Sequence, residues 1–175
     1  MIYFSADLHL DHNNIIKYCS RPFDSVADMD NTILNNFQVM KPGDTLYLLG
    51  DLSFNEKVAA KFFDMFSGVQ MVFIKGNHDS RKLQKITRDR NIPLYTLMDI
   101  KIEEQPVTLC HYAMRVWNKS HYNAWQLHGH SHGTLLPQGK QYDVGVDTNN
   151  FAPVSWDKIK EIMNQSPNNF NYIGE

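Results

Sequence analysis

Short apolar runs bounded by polar or turn residues recur along the chain, and between them apolar positions fall three and four residues apart. The short runs predict strands at Ile2 to Ser5, Thr45 to Leu49, Met71 to Ile74, Val107 to Cys110, Trp125 to Leu127 and Tyr142 to Val146. The first four have the continuous apolar character of strands buried on both faces. A further strand pair is expected between Leu94 and Ile102. The spacing of Val26, Met29, Ile33, Phe37 and Met40 predicts a helix capped by Ser25 and ended by Pro42-Gly43. Ser53-x-x-Glu56 reads as a capping box ahead of Val58, Ala59, Phe62, Phe63 and Phe66, with Gly68 closing that helix. Ser80 opens a short basic helix toward Arg90, and Ser155 opens another through Ile159 and Ile162. Trp117, His121 and Trp125 would share one face if their stretch were helical. The Asn-rich stretch from Asn164 to Glu175 is expected to pack loosely. Strands alternating with helices indicate an α/β domain, whose ligands gather at the carboxyl ends of the strands.

Bulk properties narrow the function classes. The 175 residues suit one domain, residues 1–175, with a substantial core. Hydrophobic residues at 42% and charged residues at 21% speak against disorder and coiled coil. A formal net charge of −2, with no basic run beyond Ser80-Arg81-Lys82, speaks against tracking long nucleic acid by counterion release. No apolar run approaches the roughly 20 residues that span a bilayer. Two cysteines, Cys19 and Cys110, make no disulfide framework, and the amino terminus has no basic region of a signal peptide. The expectation is a cytoplasmic protein.

The chemistry lies beside or just after the apolar runs. In order come Asp7-x-His9, Gly50-Asp51, Gly76-Asn77-His78-Asp79, His111 and Gly129-His130-x-His132. Carboxylates, imidazoles and one carboxamide, with no thiolate required, suit a pair of divalent metals. Asp7 and His9 would project from one face if the extended conformation continued past the first strand, and His130 and His132 would repeat that geometry. Gly50, Gly76 and Gly129 each precede a candidate ligand and allow close backbone approach.

This series resembles the calcineurin-like metallophosphoesterase superfamily. Flanking text such as His12-Asn13-Asn14-Ile15-Ile16, Arg21-Pro22-Phe23 and Val144-Gly145-Val146-Asp147 resembles a compact, cap-less bacterial and phage branch of it. The resemblance implies a four-layer αββα sandwich of two mixed β-sheets flanked by helices. It implies that Asp7, His9, Asp51 and His132 hold one metal while Asp51, Asn77, His111 and His130 hold a second, Asp51 bridging. It implies two divalent ions, manganese first, with Fe, Zn, Ni or Mg as alternatives.

The implied reaction is phosphoester hydrolysis by a hydroxide shared between the two ions. His78 and Asn77 would contact phosphate, His78 would protonate the leaving oxygen, and Asp79 would orient its imidazole. His12 faces the substrate phosphate or serves as a capping residue. Arg21 binds a second phosphate or leaving group, or forms a salt bridge near a turn. A phosphodiesterase acting on a small or nucleotide-like phosphoester leads. A phosphomonoesterase, a nuclease and a non-catalytic metal-binding scaffold are the alternatives.

Overall fold

The computed structural model describes residues 1–174, so Glu175 at the end of the Asn-rich tail lies outside the described residues. Two mixed sheets form an α/β sandwich. The first joins β1 (Ile2–Ser5), β2 (Thr45–Leu48), β3 (Gln70–Ile74), β4 (Leu94–Tyr95) and β9 (Val154–Ser155) in the order β4-β3-β2-β1-β9. Only β9 runs antiparallel to its neighbour. The second sheet has the order β5-β6-β7-β8, from β5 (Leu97–Ile102), β6 (Gln105–Cys110), β7 (Trp125–His128) and β8 (Gln141–Asp143). Here β5 is antiparallel to β6, and the remaining pairs are parallel.

Side-chain alternation splits the apolar residues into two cores. Tyr3, Leu46, Leu48, Met71 and Phe73 face the helices α1 (Asn13–Tyr18), α2 (Val26–Phe37), α3 (Glu56–Met65) and α4 (Arg81–Asp89). Phe4, Leu49 and Ile74 face the other way and meet Val107, Leu109, Trp125 and Leu127 of the second sheet. Helix α5 (Trp156–Gln165) adds Trp156, Ile159 and Met163 to that inner core, and the ring of Trp156 packs against Phe4 and Trp125. The segment 112–124 covers the outside of the second sheet. Gln126 ties to Met114 N and Tyr112 O there, and Gln141 to Met114 O.

The helix starts at Ser25, Ser80 and Ser155 match expectation, each serine accepting the backbone amide three residues on. Five details differ. The capping box at Ser53 does not form: Asn55 caps α3 by accepting from Lys57 N, because the Ser53 hydroxyl is drawn away to Leu10 O at 2.7 Å. The two strands between Leu94 and Ile102 do not pair with each other. β4 completes the first sheet beside β3, and β5 the second beside β6. The expected strand through Val146 ends at Asp143, and Val146 lies in a 3-10 turn. The 117–125 stretch contains one 3-10 turn, Ser120–Tyr122, and Trp125 belongs to β7, so Trp117, His121 and Trp125 share no helical face. The Asn-rich tail is pinned: Asn169 is buried and donates to Ser120 O and Ala124 O.

Candidate metal centre

The parallel strands of both sheets deliver their carboxyl ends to one place. Asp7 follows β1, Asp51 follows β2, Asn77 follows β3, His111 follows β6, and His130 and His132 follow β7. Backbone pairing continues past the strands, through Asp7 N to Gly50 O, His9 N to Asp51 O and Gly129 N to His111 O. It holds these loops in register.

Five of the seven candidate ligands have positive φ: Asp7 at 58°, His9 at 49°, Asp51 at 55°, His130 at 67° and His132 at 47°. The extended geometry expected for Asp7-x-His9 and His130-x-His132 is therefore not how they converge. Each pair turns inward through left-handed residues, a conformation that costs on the order of 1 kcal/mol or more per non-glycine position. Strain gathered on these side chains is offset by the packing around them. Glycine makes the closeness feasible. A Cβ on Gly129 would meet Asp7 Oδ2 at 2.5 Å, and one on Gly76 would collide with the Asp51 carboxylate.

Two groups of ligand atoms result. Asp7, His9 and His132 each place one within 4.8 Å of the others, and so do Asp51, His111 and His130. Asp51 Oδ2 lies between the groups, 3.7 Å from His9 Nε2 and 3.4 Å from His111 Nε2. Asn77 joins the second group with Oδ1 at 2.9 Å from His111 Nε2. Cys19 also approaches His132 and Asp147, but burial, followed by the Asp147 charge, pushes its thiol up to about 11. It remains a neutral thiol.

The buried polar atoms at the centre lack partners. Asp7 Oδ1 and both ring nitrogens of His9 are buried with no hydrogen bond among the described residues. Burial holds the His9 imidazole neutral, with its pKa lowered to about 3. Burial raises the Asp7 carboxyl to about 7. His111 is more telling. Its Nδ1–H donates to Leu49 O at 2.7 Å, which turns Nε2 toward the oxygens of Asn77 and Asp51. A neutral ring would set lone pairs against each other, so either a proton or a cation must sit there. Burial works to lower the His111 pKa, yet the Asp51 carboxylate, with help from Asp7, lifts it to about 9. Unpartnered donors converging on a buried carboxylate fit a divalent cation, and these His/Asp clusters can bind metal.

Around the centre lies a supporting layer. Of the two readings of Arg21, substrate contact or salt bridge, the structure shows the salt bridge, but buried at 4% exposure and not on the surface. Arg21 grips Asp147 through Nε and Nη2, both at 2.8 Å, and donates to Asp7 O at 2.7 Å and Leu8 O at 3.0 Å. Asp147 in turn accepts from His132 Nδ1 at 2.7 Å, leaving Nε2 for the centre. Asp143 holds the turn carrying His130 and His132 by accepting from Ser131 Oγ and Gly133 N. Asp79 also departs from expectation. Its carboxylate accepts the amides of Gly76 at 2.6 Å and Asp51 at 3.0 Å and reaches that of Leu52, so it ties loops together instead of orienting His78. The sequence placed Asp143 within the expected strand from Tyr142 to Val146 and Asp147 in the text flanking the resemblance, and assigned neither a role at the site.

His78 is exposed, its ring 5.6 Å from that of His9 and 4.7 Å from that of Phe54, while its amide donates to Asp51 Oδ1 at 2.9 Å. His12 stacks edge-on against Phe54 at 4.8 Å, and its Nδ1 has no partner. Burial lowers the His12 pKa. Phe54, at 47% exposure, and Tyr112, at 45%, stand at the rim, and the sequence did not single out Phe54 as substrate-facing.

Fold and site together define an α/β sandwich with a buried His/Asp cluster suited to metal. No family model matches the chain. The chain is 34% identical to the uncharacterized protein MJ1445 of Methanocaldococcus jannaschii, over 93% of this chain and 90% of that protein, and it belongs to the same family. The crystal structure of AQ665, a protein of unknown function from Aquifex aeolicus, shares the fold. Its TM-score is 0.70 over 93% of this chain and 98% of that one, at 22% identity. The phosphopantetheinyl hydrolase PptH of Mycobacterium tuberculosis overlaps 62% of this chain and 40% of its own, with a TM-score of 0.36 and 13% identity. That overlap is too partial to argue from.

Proposed function

We propose that the protein is a metal-dependent phosphohydrolase of the calcineurin-like metallophosphoesterase type, acting on phosphodiesters ahead of phosphomonoesters. The observation that carries this reading is the position of Asp51 Oδ2 between the two donor groups. One carboxylate within reach of two sets of imidazoles suits a pair of ions sharing a ligand. Asp7, His9, Asp51 and His132 would hold one ion, and Asp51, Asn77, His111 and His130 the other. Manganese is the first choice, on the resemblance alone, with Fe, Zn, Ni and Mg as alternatives, because oxygen and imidazole donors do not themselves select sharply among these metals. Bound ions of this kind supply Lewis acidity toward phosphoryl oxygens and make water acidic near neutral pH.

The chain's own residues do the remaining work. The exposed imidazole of His78 meets the substrate and delivers a proton to the leaving oxygen. Asn77, whose Oδ1 lies 2.9 Å from His111 Nε2, would contact the phosphate as well. Arg21 and Asp147 keep the His132 ring in one tautomer, and Asp79 keeps Asp51 aimed. The substrate is a small, nucleotide-like phosphoester. A net charge of −2 gives no basic track for long nucleic acid. Among the described residues, no helix is long and apolar enough to cross a membrane. The two free cysteines suit a reducing cytoplasm.

The test is hydrolysis of bis-(p-nitrophenyl) phosphate with added Mn²⁺, in the protein and in its Asp51→Asn variant, beside metal analysis of both. Turnover that Asp51→Asn abolishes supports the reading. Two bound metals with no turnover on mono-, di- and cyclic nucleotides would overturn it and favour a scaffold.

A further inference from the structure

We propose that a groove beside the candidate centre receives the organic part of the phosphoester, and that the part it takes is a planar, uncharged ring of nucleobase type stacked on Tyr18. This rests on the phosphoester reading and adds a ligand class and a place to it. The groove measures about 600 Å³, within the usual range of small-molecule sites. Tyr18 and Ser20, at the end of α1, form one wall. Thr134 and Leu135 form the other, and His130 and His132 of the candidate centre form the floor. A phosphoester held at the centre therefore has its substituent directed into this space or out to solvent.

The chemistry of the walls selects the occupant. Among the lining residues there is no lysine and no arginine, so nothing there neutralises a second phosphate or a polyanion. The nearby buried guanidinium, Arg21, has its donors committed to Asp147 and to the carbonyls of Asp7 and Leu8. What the groove does offer is an aromatic face, an aliphatic wall and hydroxyls. Tyr18 is 74% exposed and Leu135 50%, an arrangement that leaves apolar surface in water unless a ligand covers it. The Tyr18 ring is braced edge-on by His12 at 6.4 Å, and His12 by Phe54 at 4.8 Å. A row of rings thus runs from the groove to His78 at the reacting side. Such a braced, solvent-facing ring is a stacking platform for a flat group. Ser20 and Thr134 bring hydroxyls to the lining, and the Thr134 hydroxyl, which donates to Ser131 O at 2.6 Å, can still accept.

The experiment is calorimetric titration of the Mn²⁺-loaded protein with AMP, ribose 5-phosphate and inorganic phosphate. All three present phosphate to the centre, and only AMP carries a base. AMP is expected to bind roughly tenfold or more tightly than ribose 5-phosphate, the scale of one base–aromatic stack. Tyr18→Ala should erase that advantage and Tyr18→Phe should keep it, with ribose 5-phosphate affinity the same in all three proteins. Tyr18 is exposed, so neither variant threatens folding. Equal affinities for AMP and ribose 5-phosphate, or an AMP preference that survives Tyr18→Ala, would overturn the groove assignment and leave the phosphoester reading standing. Failure of all three ligands to bind would overturn both.

Discussion

Arg21 and Asp147, 126 positions apart in the chain, form a two-pronged ion pair with both contacts at 2.8 Å. The same guanidinium holds the carbonyls of Asp7 and Leu8, and the same carboxylate holds His132. One buried side chain thus fixes the turn bearing Asp7 and His9 against the loop bearing His132. Those residues are the first donor group.

Arg21→Lys tests this coupling. A lysine keeps the charge and supplies a point donor, without the planar fork that reaches Asp147 twice and two carbonyls besides. Metal affinity at the Asp7, His9 and His132 group should fall about 10- to 100-fold, the usual effect of disturbing a ligand's partner. Affinity at the Asp51, His111 and His130 group should change little. Stepwise Mn²⁺ titration reads the two apart. Equal weakening of both steps, or of neither, would contradict the coupling.

Asp79 and His78 are neighbours with opposite tasks. Asp79→Asn removes a carboxylate that accepts the Gly76 and Asp51 amides, and an amide NH₂ facing those donors repels them. The expected cost is about 2–3 kcal/mol of stability, read as a lowered denaturation midpoint. His78→Gln alters an exposed ring, so midpoint and metal content should hold while kcat drops about 10²- to 10⁴-fold. Metal loss in His78→Gln would remove it from its proton-donor role.

How far each feature could be read in advance follows from the range of its cause. Ser25, Ser80 and Ser155 were legible because a cap is a local bond, donated by the amide three residues on to the serine oxygen. Ser53 misled because a competing partner, Leu10 O, lies 43 positions away in sequence. The two residues of β9 and the six of α1 are too few to show a period. The candidate ligands were legible as polar residues set just beyond apolar strands. Their left-handed backbones, and the work of Asp143 and Asp147, depend on contacts that only the folded chain creates. Arg21 shows the same limit. Nothing before Pro22-Phe23 reveals whether a guanidinium faces phosphate or is saturated by its own protein.

The buried charges predict how the metal-free protein responds to pH. His111 has its pKa raised from an ordinary 6.5 to about 9. Burial opposes this, and the Asp51 carboxylate outweighs it. The fold therefore binds this proton more tightly than the unfolded chain does. That stabilisation is complete below pH 6.5 and is lost as pH rises through about 9. Asp7 adds to the trend lower down: burial raises its carboxyl from 3.8 to about 7, so its share is lost across that interval. The midpoint of metal-free protein should fall between about pH 6.5 and 9, and saturating Mn²⁺ should flatten that fall by replacing the proton. Binding at pH 8 should release protons, measured as heats that differ between buffers of unlike ionisation enthalpy. Parallel pH slopes with and without metal, or no proton release, would refute the exchange of proton for cation.

Gly76 and Gly43 separate close packing from backbone freedom. A Cβ on Gly76 would meet the Asp51 amide at 2.7 Å and drive into its carboxylate, whereas one on Gly43 would meet nothing within 4 Å. Gly43 sits at a φ of +91°, so Gly43→Ala strains only the turn after α2 and should cost about 1 kcal/mol, leaving metal binding untouched. Gly76→Ala has no free space to use. Asp51 must move, and with it an oxygen that lies within reach of both donor groups. Stability should fall by about 1–3 kcal/mol, the range for overpacked interiors, and metal stoichiometry should fall with it. If Gly76→Ala keeps two ions at the affinity of the parent protein, Asp51 is not the shared ligand and the centre must be redrawn around Asp7.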